Sequence, residues 1–433
     1  MNAKLKKFLI AAAAVLAAAL LFLAGYFTYY LTMSGGLRSL LWVKDMVQDE
    51  YYEEVSDDEF WQAAIDGVMD SLDAYSAYYT ADEYDAVIDS DRGIRSGIGA
   101  SFFSGTNKVY RIALNSPLFF AAEGKAEAGM YLTGVGESES SLTLTDTYAK
   151  VSAALSAASG KVVLRFSSVS ASDTENCVYV TVEPAVYTES HVLYASGGKA
   201  YAYLLAGEEY VWTDVSAYVT VDEKVPEGAA YIQLTQFEGN AGNEFAEAAR
   251  QYKEDGADTL LFDLRNNGGG RLSVMQQIAR YLCKDASAGS TVLEARYRSG
   301  KKELYTIDAS LYETYFAGSR IYAAGNGNTA SASEALLGAM ISYGTLGYGD
   351  IFVTQTAGED SARTYGKGIM QTTFRNGATG EAIKLTTAEI YWPNGVSIHG
   401  KGITAADGAA AVQAVSYGEY GDPELSDIFS RIA

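Results

Sequence analysis

The hydrophobic pattern begins with an uncharged run from Phe8 to Met33 that follows Lys4, Lys6 and Lys7. As a helix, this run would be about 39 Å long, against roughly 30 Å of bilayer hydrocarbon. Because the lysines precede it, the positive-inside rule predicts a cytoplasmic amino terminus and an extracytoplasmic body. The open alternatives are a cleaved signal sequence, for which the small residues at Ala11–Ala19 offer a cleavage region, and a buried helix.

The next region is predicted to be helical. Apolar residues recur at helical spacing from Trp61 to Leu72. Ser56 with Glu59 and Thr80 with Glu83 have the spacing of capping boxes that open helices. We therefore predict a membrane segment at 1–36 and a helical region at 37–92.

Between residues 93 and 187 the pattern changes to short strand-like runs around one helical stretch, Thr145–Ala157. The predicted strands are Lys108–Leu114, Lys161–Phe166 and Cys177–Val182. This indicates a small β-rich domain. Residues 188–229 are rich in tyrosine and are interpreted as a connector or accessory hairpin, with predicted strands Ala200–Leu205 and Ala217–Val221.

From residue 230 to 433, strands and helices alternate along the chain. The predicted elements are strand Ala230–Leu234, helix Ala241–Lys253, strand Thr259–Leu264, helix Leu272–Cys283, strand Arg320–Ala324 and helix Ser333–Ser342. Alternation of this kind predicts a layered α/β domain.

Composition excludes several classes of function. Lys and Arg total 32 against 54 Asp and Glu, a net charge of −22, which gives no electrostatic footprint for nucleic acid. Cys177 and Cys283 are too few for a disulfide framework and are interpreted as buried thiols. With only His191 and His399 present, a histidine-rich metal site is not expected, and a serine enzyme would need another base.

Two turns that follow predicted strands could carry chemistry. Strand Thr259–Leu264 runs into Arg-Asn-Asn-Gly-Gly-Gly at 265–270, where glycines let backbone N–H groups converge on a negative charge. The second turn, 326–334, leads from a strand into a helix and contains Ser331 and Ser333. A serine at such an elbow is exposed beside the next N–H group, although it can instead simply cap the helix.

A third segment, Tyr-Gly-Lys-Gly-Ile-Met-Gln at 365–371, places Lys367 between two glycines. A lysine becomes a general base when burial without a carboxylate partner lowers its pKa. No acidic residue lies between Ser361 and Gln371. The alternative interpretation is a surface lysine in a flexible turn.

Taken together, Asp-Leu-Arg-Asn-Asn-Gly-Gly-Gly at 263–270, Thr-Ala-Ser-Ala-Ser-Glu at 329–334 and the lysine segment resemble the carboxy-terminal processing peptidases, or tail-specific proteases. The resemblance also covers residues 71–80 and the closing motifs at 391–395 and 399–403. It implies a serine peptidase with Ser331 as nucleophile, Lys367 as base and Gln371 as the residue that orients the lysine. It also implies an oxyanion hole from the backbone N–H groups of Ala332 and Gly269.

The resemblance further implies an α/β fold with a crotonase/ClpP-like layered catalytic domain and an inserted PDZ-like domain at 93–187. Ser-Gly-Ile-Gly-Ala at 96–100 is similar to the carboxylate-binding loop of that domain, which makes Gly97, Ile98 and Gly99 candidate peptide-binding residues. His399 is interpreted as structural. Residues 344–363 form an apparent insertion between nucleophile and base.

The predicted function is a single-pass, membrane-anchored, extracytoplasmic serine endopeptidase acting at or near the carboxy termini of exported proteins. The expected partners are proteins or peptides with exposed carboxy termini and the membrane, and a homo-oligomer is left open. No cofactor or metal is expected. The alternatives are a catalytically silent scaffold for exported proteins, an enzyme of the related crotonase-like fold acting on acyl thioesters and, for localisation, secretion after signal cleavage.

Overall fold

The computed structural model describes residues 3–207, 209–219, 225–355, 361–413 and 422–433. The chain divides into two units, Met1–Tyr78 and Tyr79–Ala433. The first unit contains helices α1 (Ala3–Thr32), α2 (Gly35–Glu50) and α3 (Asp57–Met69), and strand β1 (Ala77–Tyr79) lies at the boundary.

Helix α1 contains the apolar run that the sequence singled out. Leu9–Tyr29 has a mean hydropathy of 2.4 and none of its surface is buried, so α1 is long and apolar enough to cross a membrane or to act as a signal sequence. The predicted capping box of α3 is confirmed. The Ser56 N–H donates to Glu59 Oε2 at 2.8 Å, and the Glu59 N–H donates to Ser56 Oγ at 3.3 Å.

The second unit opens with α4 (Ala81–Asp91), whose first turn carries the predicted Thr80–Glu83 capping box. A β-rich module follows. Its elements are β2 (Ile94–Gly97), β3 (Ala100–Phe102), β4 (Val109–Ile112), α5 (Pro117–Ala122), β5 (Tyr131–Gly136), β6 (Thr143–Leu144), α6 (Tyr148–Ala157), β7 (Val162–Ser167), β8 (Cys177–Val182) and β9 (Ala185–Thr188). They enclose a separate hydrophobic core that includes Leu118, Leu132 and Phe166. The predicted β-rich region is therefore confirmed, while its PDZ-like character stays a prediction.

An eight-stranded sheet forms the centre of the second unit. Its strands are β10 (Val192–Ser196), β11 (Lys199–Ala206), β12 (Glu209–Asp214), β13 (Ala229–Leu234), β14 (Thr259–Asp263), β17 (Arg320–Asn326), β18 (Ile351–Thr354) and β21 (Ala410–Val412). Their order across the sheet is β12-β11-β10-β13-β14-β17-β18-β21. The pairs from β13 to β21 are parallel, and those among β10 to β13 are antiparallel. The alternation of strands and helices thus predicted the parallel part correctly.

The sheet is buried on both faces. Its helices are α7 (Ala241–Asp255), α8 (Leu272–Leu282), α10 (Ala332–Ser342) and α11 (Pro423–Ile432). Along β14, Leu260 and Phe262 join the core that contains residues of α7, α8 and α10, whereas Leu261 joins the core that contains residues of α11. This follows from the two-residue side-chain period of a strand between two apolar layers.

A second sheet is antiparallel and flanks the site described below. It contains β15 (Thr291–Tyr297), β16 (Lys302–Thr306), β19 (Ile369–Arg375) and β20 (Ala382–Tyr391). The short helix α9 (Tyr312–Tyr315) follows β16. The whole second unit is therefore a mixed α/β structure, as expected, whereas a specifically crotonase/ClpP-like layering stays a prediction.

The connector differs from expectation in two ways. Its strands β10, β11 and β12 belong to the same sheet as β13 and β14, so the connector contributes three strands to that layer. The predicted strand Ala217–Val221 is wrong over 217–219, and residues 220–221 lie outside the described residues. Asp214 Oδ1 accepts the Ser216 N–H at 3.0 Å, an Asx turn that ends β12 before this point.

The two cysteines also differ from each other. Cys283 is fully buried, and burial raises the pKa of its thiol to about 12. Cys177 is only half-buried, because it begins β8 at the edge of its sheet, so the expectation of two buried thiols is correct for Cys283 alone.

Candidate active site

The elbow between β17 and α10 presents Ser331 in a strained conformation. Its φ and ψ angles are 58° and −115°, a region that residues with a Cβ rarely occupy. Such a backbone costs on the order of 1–3 kcal/mol and persists where the surrounding structure imposes it. Ser331 is half-buried, whereas Ser333 is fully buried and its Oγ donates to the Asn267 carbonyl at 2.9 Å. The two hydroxyl groups are therefore distinct.

The glycine turn after β14 lies directly against this elbow. Gly269 has a φ of 103°, and a Cβ on it would come within 2.8 Å of Ser331 Cβ and 2.9 Å of Ala332 N. Only glycine fits this position, for both its backbone angle and the close approach. The structure thus brings together Gly269, Ser331 and Ala332. The Gly269 N–H, however, donates to Asn267 Oδ1 at 2.9 Å.

Glu334, in the first turn of α10, joins the serine and lysine segments. Its Oε2 accepts the N–H groups of Ser331 at 3.1 Å and Lys367 at 2.8 Å. Its Oε1 accepts the Gly366 N–H at 2.8 Å and the Thr364 hydroxyl at 2.6 Å. A single oxygen atom therefore lies between the backbone nitrogens of the predicted nucleophile and the predicted base.

The Glu334 side chain is fully buried, and burial raises its pKa although the four hydrogen bonds act in the opposite direction. The N–H groups that point at it satisfy the lone pairs of a buried carboxylate. Sequence reasoning did not assign this role. The usable signal was the acid three residues after Ser331, at the capping-box position of α10.

The Lys367 segment is held by the closing motif at 399–403. A Cβ on Gly366 would lie 2.9 Å from Lys401 N, and one on Gly368 would lie 2.6 Å from His399 N. The Gly400 N–H also donates to the Gly366 carbonyl at 2.8 Å. His399 contributes these contacts through its backbone and Cβ, which agrees with a structural interpretation of that residue.

Gln371 lies on β19, beside an irregularity in the pairing of β19 with β20. Its Nε2 donates to Thr386 Oγ1 at 3.0 Å, so neighbouring β20 fixes the direction of its amide. The role of Gln371 in orienting Lys367 stays a prediction.

A network of charged residues supports the base of the glycine turn. Arg265 is bonded to Asp263 at 2.7 Å and to Asp422 at 2.8 Å, and the Tyr231 hydroxyl donates to Asp263 Oδ2 at 2.8 Å. Asp263 is fully buried and Arg265 almost so. The network fastens the turn to α11, because Asp422 also accepts the Leu425 N–H at the start of that helix.

The candidate peptide-binding residues lie between β2 and β3 of the module. Gly97 and Gly99 have φ angles of 124° and 90°. The Ile98 carbonyl accepts the Leu118 N–H at 2.9 Å, and the Gly99 carbonyl accepts the Ala113 N–H at 2.8 Å. The loop is thus tied to the segment that leads into α5, and its binding role stays a prediction.

The apparent insertion at 344–363 contains β18, which pairs with β17 on one side and β21 on the other. Part of the segment is therefore a strand of the main sheet, while residues 356–360 lie outside the described residues. Across the described residues, no group of three or more His, Cys, Asp or Glu side chains could hold a metal ion.

A strained serine at a strand–helix elbow, beside a glycine turn, defines the class of site found in serine hydrolases. Residues 228–406 of the chain match the model of Peptidase family S41. The resemblance to the carboxy-terminal processing peptidases is thereby confirmed.

The chain is similar to curated proteins and to solved structures. A "Probable CtpA-like serine protease" of Staphylococcus epidermidis is 26% identical over 368 residues, which is 85% of this chain and 64% of the relative. A "Carboxyl-terminal-processing protease" of Synechocystis is 34% identical over 183 residues, 42% of this chain and 38% of the relative. The chain thus spans under two thirds of the length of these relatives.

A solved structure from Bacteroides fragilis NCTC 9343, named as an S41 protease, aligns with 90% of this chain and 97% of its own length. Its TM-score is 0.53 at 14% sequence identity. This likeness supports the fold.

Proposed function

We propose that the protein is a serine endopeptidase that cuts exported proteins at or near their carboxy termini. Ser331 is the nucleophile, Lys367 the general base and Gln371 the residue that orients the lysine. The observation that carries the proposal is the Glu334 carboxylate, which bonds the backbone N–H groups of both Ser331 and Lys367. That bonding fixes the two segments to each other, as a nucleophile and its base require.

In the proposed reaction, Ser331 Oγ attacks the scissile carbonyl carbon while its proton passes to the neutral Lys367 amine. The carbonyl electron pair moves to oxygen, and backbone N–H groups of Ala332 and the glycine turn stabilise that charge. The lysine then gives its proton to the leaving amine, and an acyl-enzyme forms on Ser331. Water, activated by the same lysine, hydrolyses the acyl-enzyme.

The proposed location is the extracytoplasmic side of a membrane, with α1 as a single-pass anchor. The length and hydropathy of Leu9–Tyr29 support this, as does the placement of Lys4, Lys6 and Lys7 before it. We further propose that the module at 93–187 is a PDZ-like domain that binds substrate carboxy termini through Gly97, Ile98 and Gly99. Backbone N–H groups in such a loop suit a terminal carboxylate.

The test uses the full chain in detergent, incubated with a casein and with peptides that differ only at the carboxy terminus. Cuts are mapped by mass spectrometry beside the Ser331→Ala variant. We expect cleavage by the wild-type protein that the variant lacks, and a preference among the carboxy termini. Equal cleavage by the variant would refute Ser331 as nucleophile, and binding without cleavage would favour the scaffold alternative.

A further inference from the structure

The glycine turn contains more than one N–H group that could face Ser331. The Gly269 N–H, which the resemblance assigns to the oxyanion hole, already donates to Asn267 Oδ1 at 2.9 Å. A donor committed to a neutral acceptor is a poor partner for a developing oxyanion. The other amides of the turn therefore need to be compared with it.

The peptide between Gly269 and Gly270 has a defined orientation. The Phe237 N–H donates to the Gly269 carbonyl at 2.9 Å, and the Arg271 N–H donates to the Phe237 carbonyl at 2.8 Å. In a trans peptide, the N–H points opposite to the preceding carbonyl. The Gly270 N–H consequently points away from Phe237, and it has no hydrogen-bond partner within the described part of the chain.

This amide is close to the predicted nucleophile. Gly269 lies against Ser331, since a Cβ added to Gly269 would be 2.8 Å from Ser331 Cβ. The Gly270 nitrogen is covalently bonded to the carbonyl carbon of Gly269. Gly270 is exposed whereas Gly269 is buried, so a substrate carbonyl has access to the former. The exposure of Gly270 and the direction of its N–H group both favour this amide as the donor to an oxyanion.

Asn267 holds the turn in this arrangement. It is fully buried, and its Nδ2 donates to the Leu234 carbonyl at 2.8 Å while Oδ1 holds the Gly269 N–H. Its backbone carbonyl accepts the Ala330 N–H at 3.0 Å and the Ser333 hydroxyl at 2.9 Å. One residue thus connects the end of β13, the glycine turn and the serine elbow.

We propose that Asn267 is a positioning residue that keeps the Gly269 N–H engaged and leaves the Gly270 N–H as the donor of the turn to the oxyanion. The proposal rests on the proposed function, since it refines the same site. No proton is transferred to or from Asn267. The residue acts only by fixing which amide faces the carbonyl oxygen.

The first test compares variants of the full chain by peptide cleavage. Asn267→Ala should lower kcat about 100-fold, because loss of an oxyanion donor has that size, with KM changed less than about threefold. Ser333→Ala, which removes only the hydroxyl bonded to the Asn267 carbonyl, is the matched control and should keep most activity. Thermal unfolding checks that each variant is folded.

Asn267→Asp is a conservative variant whose activity relative to wild type should depend on pH. A protonated aspartic acid can accept the Gly269 N–H and donate its own O–H to the Leu234 carbonyl, whereas an aspartate cannot donate. The activity of this variant relative to wild type should therefore rise as the pH falls. An activity ratio that does not change with pH, or an Asn267→Ala kcat within about threefold of wild type, would overturn the proposal.

The second test needs no variant of Asn267. Protein labelled with 13C′,15N-glycine gives amide signals from glycines preceded by glycine, which are Gly36, Gly198, Gly269 and Gly270. Gly268→Ala removes the Gly269 signal alone from the turn and so assigns it. Gly268 is exposed, and a Cβ there would meet nothing within 4 Å.

On addition of a peptide boronic acid, whose tetrahedral adduct with Ser331 mimics the oxyanion, the Gly270 N–H proton should shift downfield. The Gly269 signal should change little. A downfield shift of Gly269 instead would overturn the assignment while leaving the proposed function intact. Wild-type protein that neither cuts peptide nor forms the adduct would refute the proposed function, and this proposal with it.

Discussion

Two helices that cover the main sheet, α7 and α10, each carry a fully buried glutamate in the first turn. The two glutamates differ in the groups that surround the carboxyl group. Glu334 of α10 accepts four hydrogen bonds, from segments that meet at the candidate site. Glu244 of α7 accepts only the N–H groups of His191 and Val192, through Oε2, at 2.6 and 2.9 Å. Its Oε1 has no partner among the described residues.

Glu334 therefore holds several segments of the candidate site together, whereas Glu244 binds only the start of one strand, β10. At Glu244, burial raises the pKa to about 8, so the group is protonated at neutral pH and two amides suffice for it. At Glu334, donors on both oxygens favour the carboxylate, and two of them are the N–H groups of Ser331 and Lys367. The number and origin of converging donors thus distinguish the two helix ends.

The largest expected effect concerns the elbow before α10. Ser331→Ala should lower kcat by at least about 10⁴-fold, since the nucleophile is lost, while Ser333→Ala keeps most activity. Steady-state cleavage of one peptide by both variants is the measurement. The opposite ranking would mean that the wrong serine was assigned.

The next effect compares the two glutamates directly. Glu334→Gln replaces one acceptor oxygen by an NH₂ group, so two of the four donors lose their acceptor whichever way the amide turns. We expect a loss in kcat of about 100-fold, from displacement of Ser331 and Lys367. Glu244→Gln, measured in the same assay, should stay within about twofold of wild type because it lies outside the proposed machinery. Equal losses of kcat in both variants would show that Glu334 is no more important to the site than Glu244.

A smaller effect appears in stability against pH. The folded protein keeps the Glu244 proton up to about pH 8, whereas the unfolded chain releases it near 4.5. The stability that this group contributes is therefore full below about pH 4.5, and it is lost progressively as the pH rises from there to about 8. His191 acts in the opposite direction, because burial lowers its pKa to about 4, and it costs stability as the pH falls from 6.5.

Glu244→Gln removes the first contribution alone. Relative to wild type, its Tm should rise by about 4 °C between pH 6 and pH 9, measured by thermal unfolding. Glu83→Gln is the control, because hydrogen bonds from Thr80 lower the pKa of Glu83 and this group does not titrate between pH 6 and pH 9. A constant difference between Glu244→Gln and wild type over that interval would contradict the protonated state of Glu244.

The smallest effect is expected at His399. The residue is exposed and contacts Gly368 through its backbone and Cβ, all of which alanine retains. His399→Ala should leave kcat/KM within about twofold and the pH–rate profile unchanged. Loss of a group titrating near neutral pH would instead favour histidine as the base.

Much of the fold was predictable from the sequence because its strands and helices carry local signals. The parallel strands β13, β14 and β17 are mainly apolar, and each is followed by a turn and a helix. Helices α7 and α8 are amphipathic, whereas α10 is buried along most of its length. The site was predicted at the ends of β14 and β17, where the glycine turn and the serine elbow stand. Parallel strand ends meet at one edge of a sheet, which brings the two turns together.

Other features could not be predicted because they depend on contacts distant in sequence. The partners of Glu334 at Thr364, Gly366 and Lys367 lie 30 or more residues away and are backbone groups for the most part. The addition of β10 to β13 involves an antiparallel register that the tyrosine-rich pattern does not specify. The Asx turn at Asp214 ends β12, a strand that was not predicted, before residues 217–219, where hydrophobicity alone had suggested a strand.

Covalent labelling examines whether Lys367 activates Ser331. The full-length protein is treated with a fluorophosphonate over a range of pH, and the modified serine is located by mass spectrometry. We expect an adduct on Ser331 that forms faster as the pH rises, and none in Lys367→Arg, because arginine remains charged and cannot accept the proton. An adduct on another serine, or equal labelling of Ser331 in Lys367→Arg, would refute this pairing of nucleophile and base.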